Sequence, residues 1–168
     1  MRIETERLII TVFTMDMAGD VHLNSLDEDN RRFVPDEVFE TLDEARDTVA
    51  FLINCYETGE GPLVYPVLLK NGTNIGYVQA VPMDGGEWEI GYHIAQRYTG
   101  KGYAREALET FLPVIMKKLN LSSMQGVCVL ENHASRKVME RAGFEKLYEG
   151  MGNYQGAPRM ICRYEYHI

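Results

Sequence analysis

Glu89-Ile90-Gly91-Tyr92-His93-Ile94-Ala95-Gln96-Arg97-Tyr98-Thr99-Gly100-Lys101-Gly102-Tyr103-Ala104 carries the chain from one periodicity into another. The first part is rich in β-formers and predicts a strand over residues 87–95. Beyond it, Ala104, Ala107, Leu108, Phe111, Ile115 and Leu119 step by threes and fours, which predicts an amphipathic helix over about 102–119. Pro113 inside that helix removes one backbone donor and is expected to kink it. The junction reads Arg97-x-x-Gly100-x-Gly102. Glycines allow a tight turn and close backbone approach, and a helix N-terminus carries roughly half a positive charge, so the junction suits an anion such as a pyrophosphate. A Walker A loop is excluded because Tyr103 follows Gly102. A dinucleotide fingerprint is excluded because Arg105 stands where a third small residue is needed. The same glycines would also serve a turn that binds nothing.

Upstream, residues 63–69 and 75–81 read as strands joined through Asn71-Gly72, a hairpin signal, and Asp84-Gly85-Gly86 turns the chain into the 87–95 strand. Residues 8–12 predict a first strand, and 16–26 and 41–56 predict helices. Thr41 with Glu44 makes a capping box for the second of these. The segment 27–40 between them reads as an acidic loop. Downstream, 125–130 predicts a buried strand, and Asn132 caps a short helix over 133–142 that Gly143 ends. Strands at 144–149 and 160–166 close the chain around a turn-rich 150–158. The order β-αα-βββ-α-β-α-ββ predicts an α/β fold, a mixed sheet with helices on both faces. With no repeat or linker, residues 1–168 are expected to form one domain.

A net charge of −8 argues against a nucleic-acid binder and is compatible with a cationic substrate. No signal-peptide core precedes Val12, and no apolar run reaches the roughly 18 residues of a membrane span, so a cytoplasmic protein away from membranes is expected. Cys55, Cys128 and Cys162 are odd in number and far apart, which predicts reduced, buried thiols. His22, His93, His133 and His167 lack metal-ligand spacing, so no metal is expected.

Arg97-x-x-Gly100-x-Gly102-x-Ala104 resembles the Q/R-x-x-G-x-G/A acyl-CoA signature of the GNAT superfamily of N-acetyltransferases. Glu131-Asn132-x-x-Ser135-x-x-Val138-Met139-Glu140-x-Ala142-Gly143-Phe144 resembles that superfamily's last helix. Glu4-Thr5-Glu6-Arg7-Leu8 resembles the start of its RimJ/RimL-like branch, related to ribosomal-protein alanine acetyltransferases. The resemblance implies a mostly antiparallel sheet of about seven strands, split by a cleft for acetyl-CoA as cosubstrate. It implies that the pantetheine arm meets backbone at His93, Ile94 and Ala95. The pyrophosphate would sit on amides of the turn that includes Arg97, Gly100, Lys101, Gly102, Tyr103 and Ala104. Asn132 and Ser135 would face the pantetheine and the thioester sulfur.

Acetylating a primary amine requires a neutral nucleophile, a stabilised oxyanion and a thiolate able to leave. Glu89, on the strand beside the cleft, is the candidate base, with a solvated strand carboxylate as the alternative. Amides near Ile94 are candidates for polarising the thioester carbonyl. Many superfamily members carry a tyrosine as acid where this chain has Met139, which has no proton to give. Ser135, one turn earlier, is the expected substitute, and it is otherwise a helix-start residue. Trp88, Tyr98, Tyr103 and Tyr154 read as packing or rim aromatics, and Cys128 as core. The acceptor stays open between a protein N-terminus, which needs an open groove between segments 27–40 and 150–158, and a small amine, which needs a closed pocket. The acidic 27–40 segment favours a cationic acceptor, with Arg31 and Arg32 offsetting part of its field. A non-catalytic acyl-CoA-binding module is the alternative function. If the chain associates, a homodimer is the commonest arrangement.

Overall fold

The computed structural model describes residues 1–168. Eight strands form one sheet in the order β1-β2-β3-β4-β5-β6-β8-β7. They are β1 (Ile3–Glu4), β2 (Leu8–Ile10), β3 (Leu63–Leu69), β4 (Asn74–Pro82), β5 (Trp88–Ile94), β6 (Ser123–Val129), β7 (Glu145–Tyr154) and β8 (Ala157–His167). Five α-helices accompany them: α1 (Ala18–Ser25), α2 (Glu28–Phe33), α3 (Leu42–Thr58), α4 (Tyr103–Leu119) and α5 (His133–Arg141). Every neighbouring pair is antiparallel except β5 with β6.

Both sheet faces are covered, which is why β3 reads as an unbroken apolar run and is buried from Leu63 to Leu68. One face packs against Ala107, Leu108, Phe111, Leu112, Ile115 and Met116 of α4. The other packs Val64 against Phe13, Ala18, and Val49 and Leu52 of α3. The capping box at Thr41 forms as expected, its hydroxyl accepting from the Glu44 amide at 3.2 Å. Helix α4 runs through Pro113 without a break, so the missing donor does not end it.

Five local readings need correction. The sheet has eight strands because Ile3 and Glu4 pair with Ile10 and Ile9, a contact too short to show periodicity. The 27–40 segment contains α2, whose polar sequence Glu-Asp-Asn-Arg-Arg-Phe has no apolar stripe to announce it. The 150–158 segment is not a loop: β7 and β8 continue to Tyr154 and from Ala157, turning at Gln155-Gly156 with φ of 49° and 76°. Gly152 reads as turn punctuation but lies opposite Arg159 in the ladder, where a Cβ would stand 2.4 Å from Ile161 Cδ1. Finally, Cys128 and Cys162 are far apart only in sequence; the β6–β8 register sets them directly opposite.

Candidate active site

The sheet opens between its two middle strands. β5 and β6 pair only at Glu89–Gln125 and Ile90–Gly126, while β5 stays paired with β4 to Ile94 and β6 with β8 to Val129. Past Ile90 the strands diverge and each leaves one edge unpaired. Alternation puts Glu89, Gly91 and His93 on one face of β5 and Ile90, Tyr92 and Ile94 on the other. The resulting cleft, about 640 Å³, passes through the sheet and is therefore lined from both faces, by Glu89 and by Tyr92, Asn132 and Ser135 of the α5 side. Met139 is 1% exposed and packs at the apex, where a Cβ on Gly126 would meet its sulfur at 2.7 Å. A side chain at the position of the usual tyrosine thus fills the core here.

Glu89 lies in the cleft wall, and burial raises its carboxyl to about 7 against a small opposing pull from the Arg163 charge. Glu37, from the turn after α2, enters the same cleft and accepts a hydrogen bond from Gln79 Nε2 at 3.3 Å. Its Oε2 is buried without a partner. Burial raises Glu37 to about 7; the Gln79 bond acts against this, and the charges of Asp36 and Glu89 add to the rise. Gln79 reaches Glu37 because Gly91 opposite it has no side chain: a Cβ there would lie 2.5 Å from Gln79 Nε2. Tyr154 of β7 completes this polar wall, its hydroxyl raised by burial and then by the charges of Glu37 and Glu89. Cys128 also lines the cleft, but burial pushes its thiol up to about 12, unsuited to a nucleophile.

On the other wall Asn132 caps α5, accepting from the Ser135 amide at 3.2 Å. The Tyr92 hydroxyl lies 2.9 Å from both the Ser135 carbonyl and Ser135 Oγ. With the Tyr92 hydroxyl donating to Ser135 Oγ, the serine proton is free to point into the cleft, so the two hydroxyls form a short relay that leads outward from Tyr92.

At the far end of β5, the Ala95 amide donates to the Ile75 carbonyl at 2.8 Å, so odd-numbered residues bond β4 and Ile94 offers its backbone to the open edge. The His93 side chain turns away from the split and stands 4.0 Å from Asp27, with burial holding its imidazole below the ordinary range. The Gln96 amide is taken by Asp27 Oδ2 at 2.6 Å. Gly100 and Gly102 adopt φ of 77° and 81°, and Gly102 is the N-cap of α4. None of the amides from Gly100 through Lys101, Gly102, Tyr103 and Ala104 to Arg105 has a backbone acceptor. They form a cradle of free donors at a helix N-terminus, the arrangement that fits a diphosphate. The Arg97 guanidinium is directed to Asn24 Oδ1 at 2.8 Å and stacks on Tyr98, which ties the turn to α1. Arg7 ties it to the N-terminal strands, donating to the Lys101 carbonyl at 2.8 Å and to Glu106 at 2.6 Å while lying over Tyr103.

The geometry joins Glu89 and Ser135 in one cleft and sets Gly100–Ala104 beyond the end of β5, where the chain enters α4. The sequence assigns no role to Gln79 or Tyr92, places Glu37 only among the acids of a loop bordering the acceptor side, and reads Tyr154 as a packing or rim aromatic; the structure brings all four into the cleft. A glycine inside a β-pattern at position 91 is the one signal that pointed to a close cross-strand approach. Within the acidic segment Glu40 pairs with Arg31, whereas Arg32 pairs outside it, with Glu131 at 2.7 Å. Glu37 is its carboxylate that lines the cleft.

The sequence model of the acetyltransferase (GNAT) domain family matches residues 7–145. The uncharacterized N-acetyltransferase YnaD of Bacillus subtilis (strain 168) is 30% identical over 148 residues, 87% of this chain and 84% of that protein. A GNAT-family acetyltransferase from Bacillus anthracis superposes with a TM-score of 0.83 at 26% identity, covering 99% of this chain and 98% of that one. RimL, a ribosomal L7/L12 alpha-N-protein acetyltransferase solved with coenzyme A, shares the fold with a TM-score of 0.84 at 18% identity, covering 100% and 98%. The split sheet, the glycine turn with its free amides and the matched span together make this chain a GNAT-family acetyltransferase.

Proposed function

We propose that the protein transfers an acetyl group from acetyl-CoA directly to a primary amine bound in the cleft. The reading is carried by one strand, β5, which holds in the cleft wall a carboxyl with a pKa near 7 and runs on into a cradle of free amides. Acetyl-CoA supplies an activated acyl thioester; the residues of the chain do the rest. The amides from Gly100 to Arg105 hold the diphosphate, and the free edge of β5 at Ile94 aligns the arm. Glu89 takes the proton that the attacking amine must lose. Ser135, backed by Tyr92, supplies a proton to the departing sulfur. The reduced cysteines and the absence of any helix long and apolar enough to cross a membrane fit a cytoplasmic enzyme.

The deciding experiment is calorimetric titration with acetyl-CoA followed by thiol release over a panel of amines. Binding with amine-dependent thiol release supports acetyl transfer, whereas binding alone would mark an acyl-CoA-binding module. Gly102→Val is expected to weaken acetyl-CoA binding by about tenfold or more. A branched residue resists the left-handed φ of 81° and stands where backbone must meet phosphate. Unchanged affinity in the folded variant would remove the cradle from the account. Ser135→Ala is expected to lower kcat by about tenfold or more with acetyl-CoA affinity nearly unchanged, since a proton donor acts only as the thiol leaves. Equal turnover would reduce Ser135 to a helix-start residue.

A further inference from the structure

Segments 27–40 and 150–158 meet over the acceptor side of the cleft. The Asp36 amide donates to Gln155 Oε1, and Arg159 Nη1, one residue past the second segment, donates to the Arg32 carbonyl, each at 3.4 Å. Val34 and Glu37 from one segment and Asn153, Tyr154 and Gln155 from the other thus line one enclosure. An open groove between them, which an extended polypeptide would need, is bridged by these bonds.

Behind Glu37 lies a second cavity of about 320 Å³, between α1 and α3 and the face of β4. It meets the cleft at Glu37, Tyr77 and Gln79, which line both. Its walls are mainly apolar, with Phe13, Phe39, Phe51 and Leu52 among them. Asn30 also lines it and is 2% exposed, with Oδ1 unpartnered. Two buried oxygens without partners, Asn30 Oδ1 and Glu37 Oε2, thus belong to residues that line this mainly apolar space. Unpaired buried acceptors are costly to keep, and a ligand that brings N–H donors and an apolar body satisfies both sets of groups.

We propose that the acceptor is a compact free amine with an apolar arm, its nitrogen between Glu37 and Glu89 and its arm in the second cavity, and not a protein N-terminus. This rests on the acetyl-transfer reading above. The amine arrives as an ammonium ion and gives one proton to Glu89, which frees the lone pair that bonds the acetyl carbon; as the carbon–sulfur bond breaks, Ser135 protonates the departing sulfur and the nitrogen's second proton replaces the one Ser135 gave, leaving one N–H on the amide and a free thiol. Glu37 receives the remaining N–H groups. Glu37 acts by binding and orientation, and the second cavity supplies discrimination.

The test measures thiol release from acetyl-CoA by the intact protein with 2-phenylethylamine, ethylamine and a hexapeptide with a free N-terminus. Burial of the ring is expected to favour 2-phenylethylamine over ethylamine by about tenfold or more in kcat/KM, with the hexapeptide slowest. Thr48→Phe, which fills the second cavity from α3, is expected to bring the first ratio close to about one. The wild-type ratio needs no variant, so a poorly folded variant leaves the test intact. Equal rates with and without the ring, or a hexapeptide that outpaces both amines, overturn the proposal while acetyl transfer stands. Acetyl-CoA binding with no thiol release for any acceptor overturns the acetyl-transfer reading itself.

Discussion

Glu89→Gln is expected to lower kcat/KM for amine acetylation by about two to three orders of magnitude while acetyl-CoA affinity stays within about twofold. Glutamine keeps the size and hydrogen-bonding reach of the side chain but accepts no proton. The loss therefore falls on the step in which the amine becomes a nucleophile. Burial sets the wild-type carboxyl near pH 7, so its charged, proton-accepting form grows as pH rises through that value. The rate profile of the wild type should climb through about pH 7, and that limb should be absent from the variant. Protonation of the amine shapes the profile at higher pH, where free amines titrate. The same shift has a consequence for stability. Glu89 and Glu37 both have folded pKa values raised above the ordinary carboxyl value of 4.5, so the folded state binds more protons between about 4.5 and 7. Their contribution to stability is present below 4.5 and is lost as pH rises through about 7. Two buried carboxyls near one another thus weaken the free fold at neutral pH, and a bound cation would relieve them. If Glu89→Gln retained full rate and the same pH profile, Glu89 would be only a strand carboxyl.

Gly76→Ala is expected to destabilise the fold by about 3 kcal/mol or more, lowering Tm by roughly 10 °C, and to weaken acetyl-CoA binding as well. Gly76 pairs with Ile94 on β5, and a Cβ there would stand 2.0 Å from the His93 carbonyl oxygen. The obstacle is backbone, with no rotamer to swing aside. Relief requires β5 to shift from β4 at the point where its other edge opens onto the cleft. Thermal unfolding with and without acetyl-CoA checks both effects. A variant with wild-type Tm and affinity would show that the two strands tolerate separation.

Most of the elements were legible because their signals are local. The three-and-four spacing of Ala104, Ala107, Leu108 and Phe111 announces α4, and Thr41 with Glu44 announces the start of α3. The glycines at 100 and 102 announce a turn into a helix N-terminus, where free amides follow from helix geometry alone. The roles proposed for Glu89 and Ser135, by contrast, came from resemblance, because a lone carboxylate and a lone hydroxyl carry no local signature.

By itself, the sequence determined the order of strands and helices apart from β1 and α2, the site of the strand-to-helix turn and the acetyltransferase signature. Propensity, capping and periodicity act within a few residues and need no partner. The tertiary structure decided what those signals cannot reach. It gave β7 and β8 their length, because strand pairing outweighs the turn preference of Gly150 and Gly152. It buried Met139 against Gly126 and set Tyr92 on Ser135 across 43 residues of chain. It drew Glu37, an apparently solvated loop acid, into a cleft opposite Glu89, where desolvation raises both carboxyls. A pKa depends on the water and charge around a group, and those are properties of the folded chain.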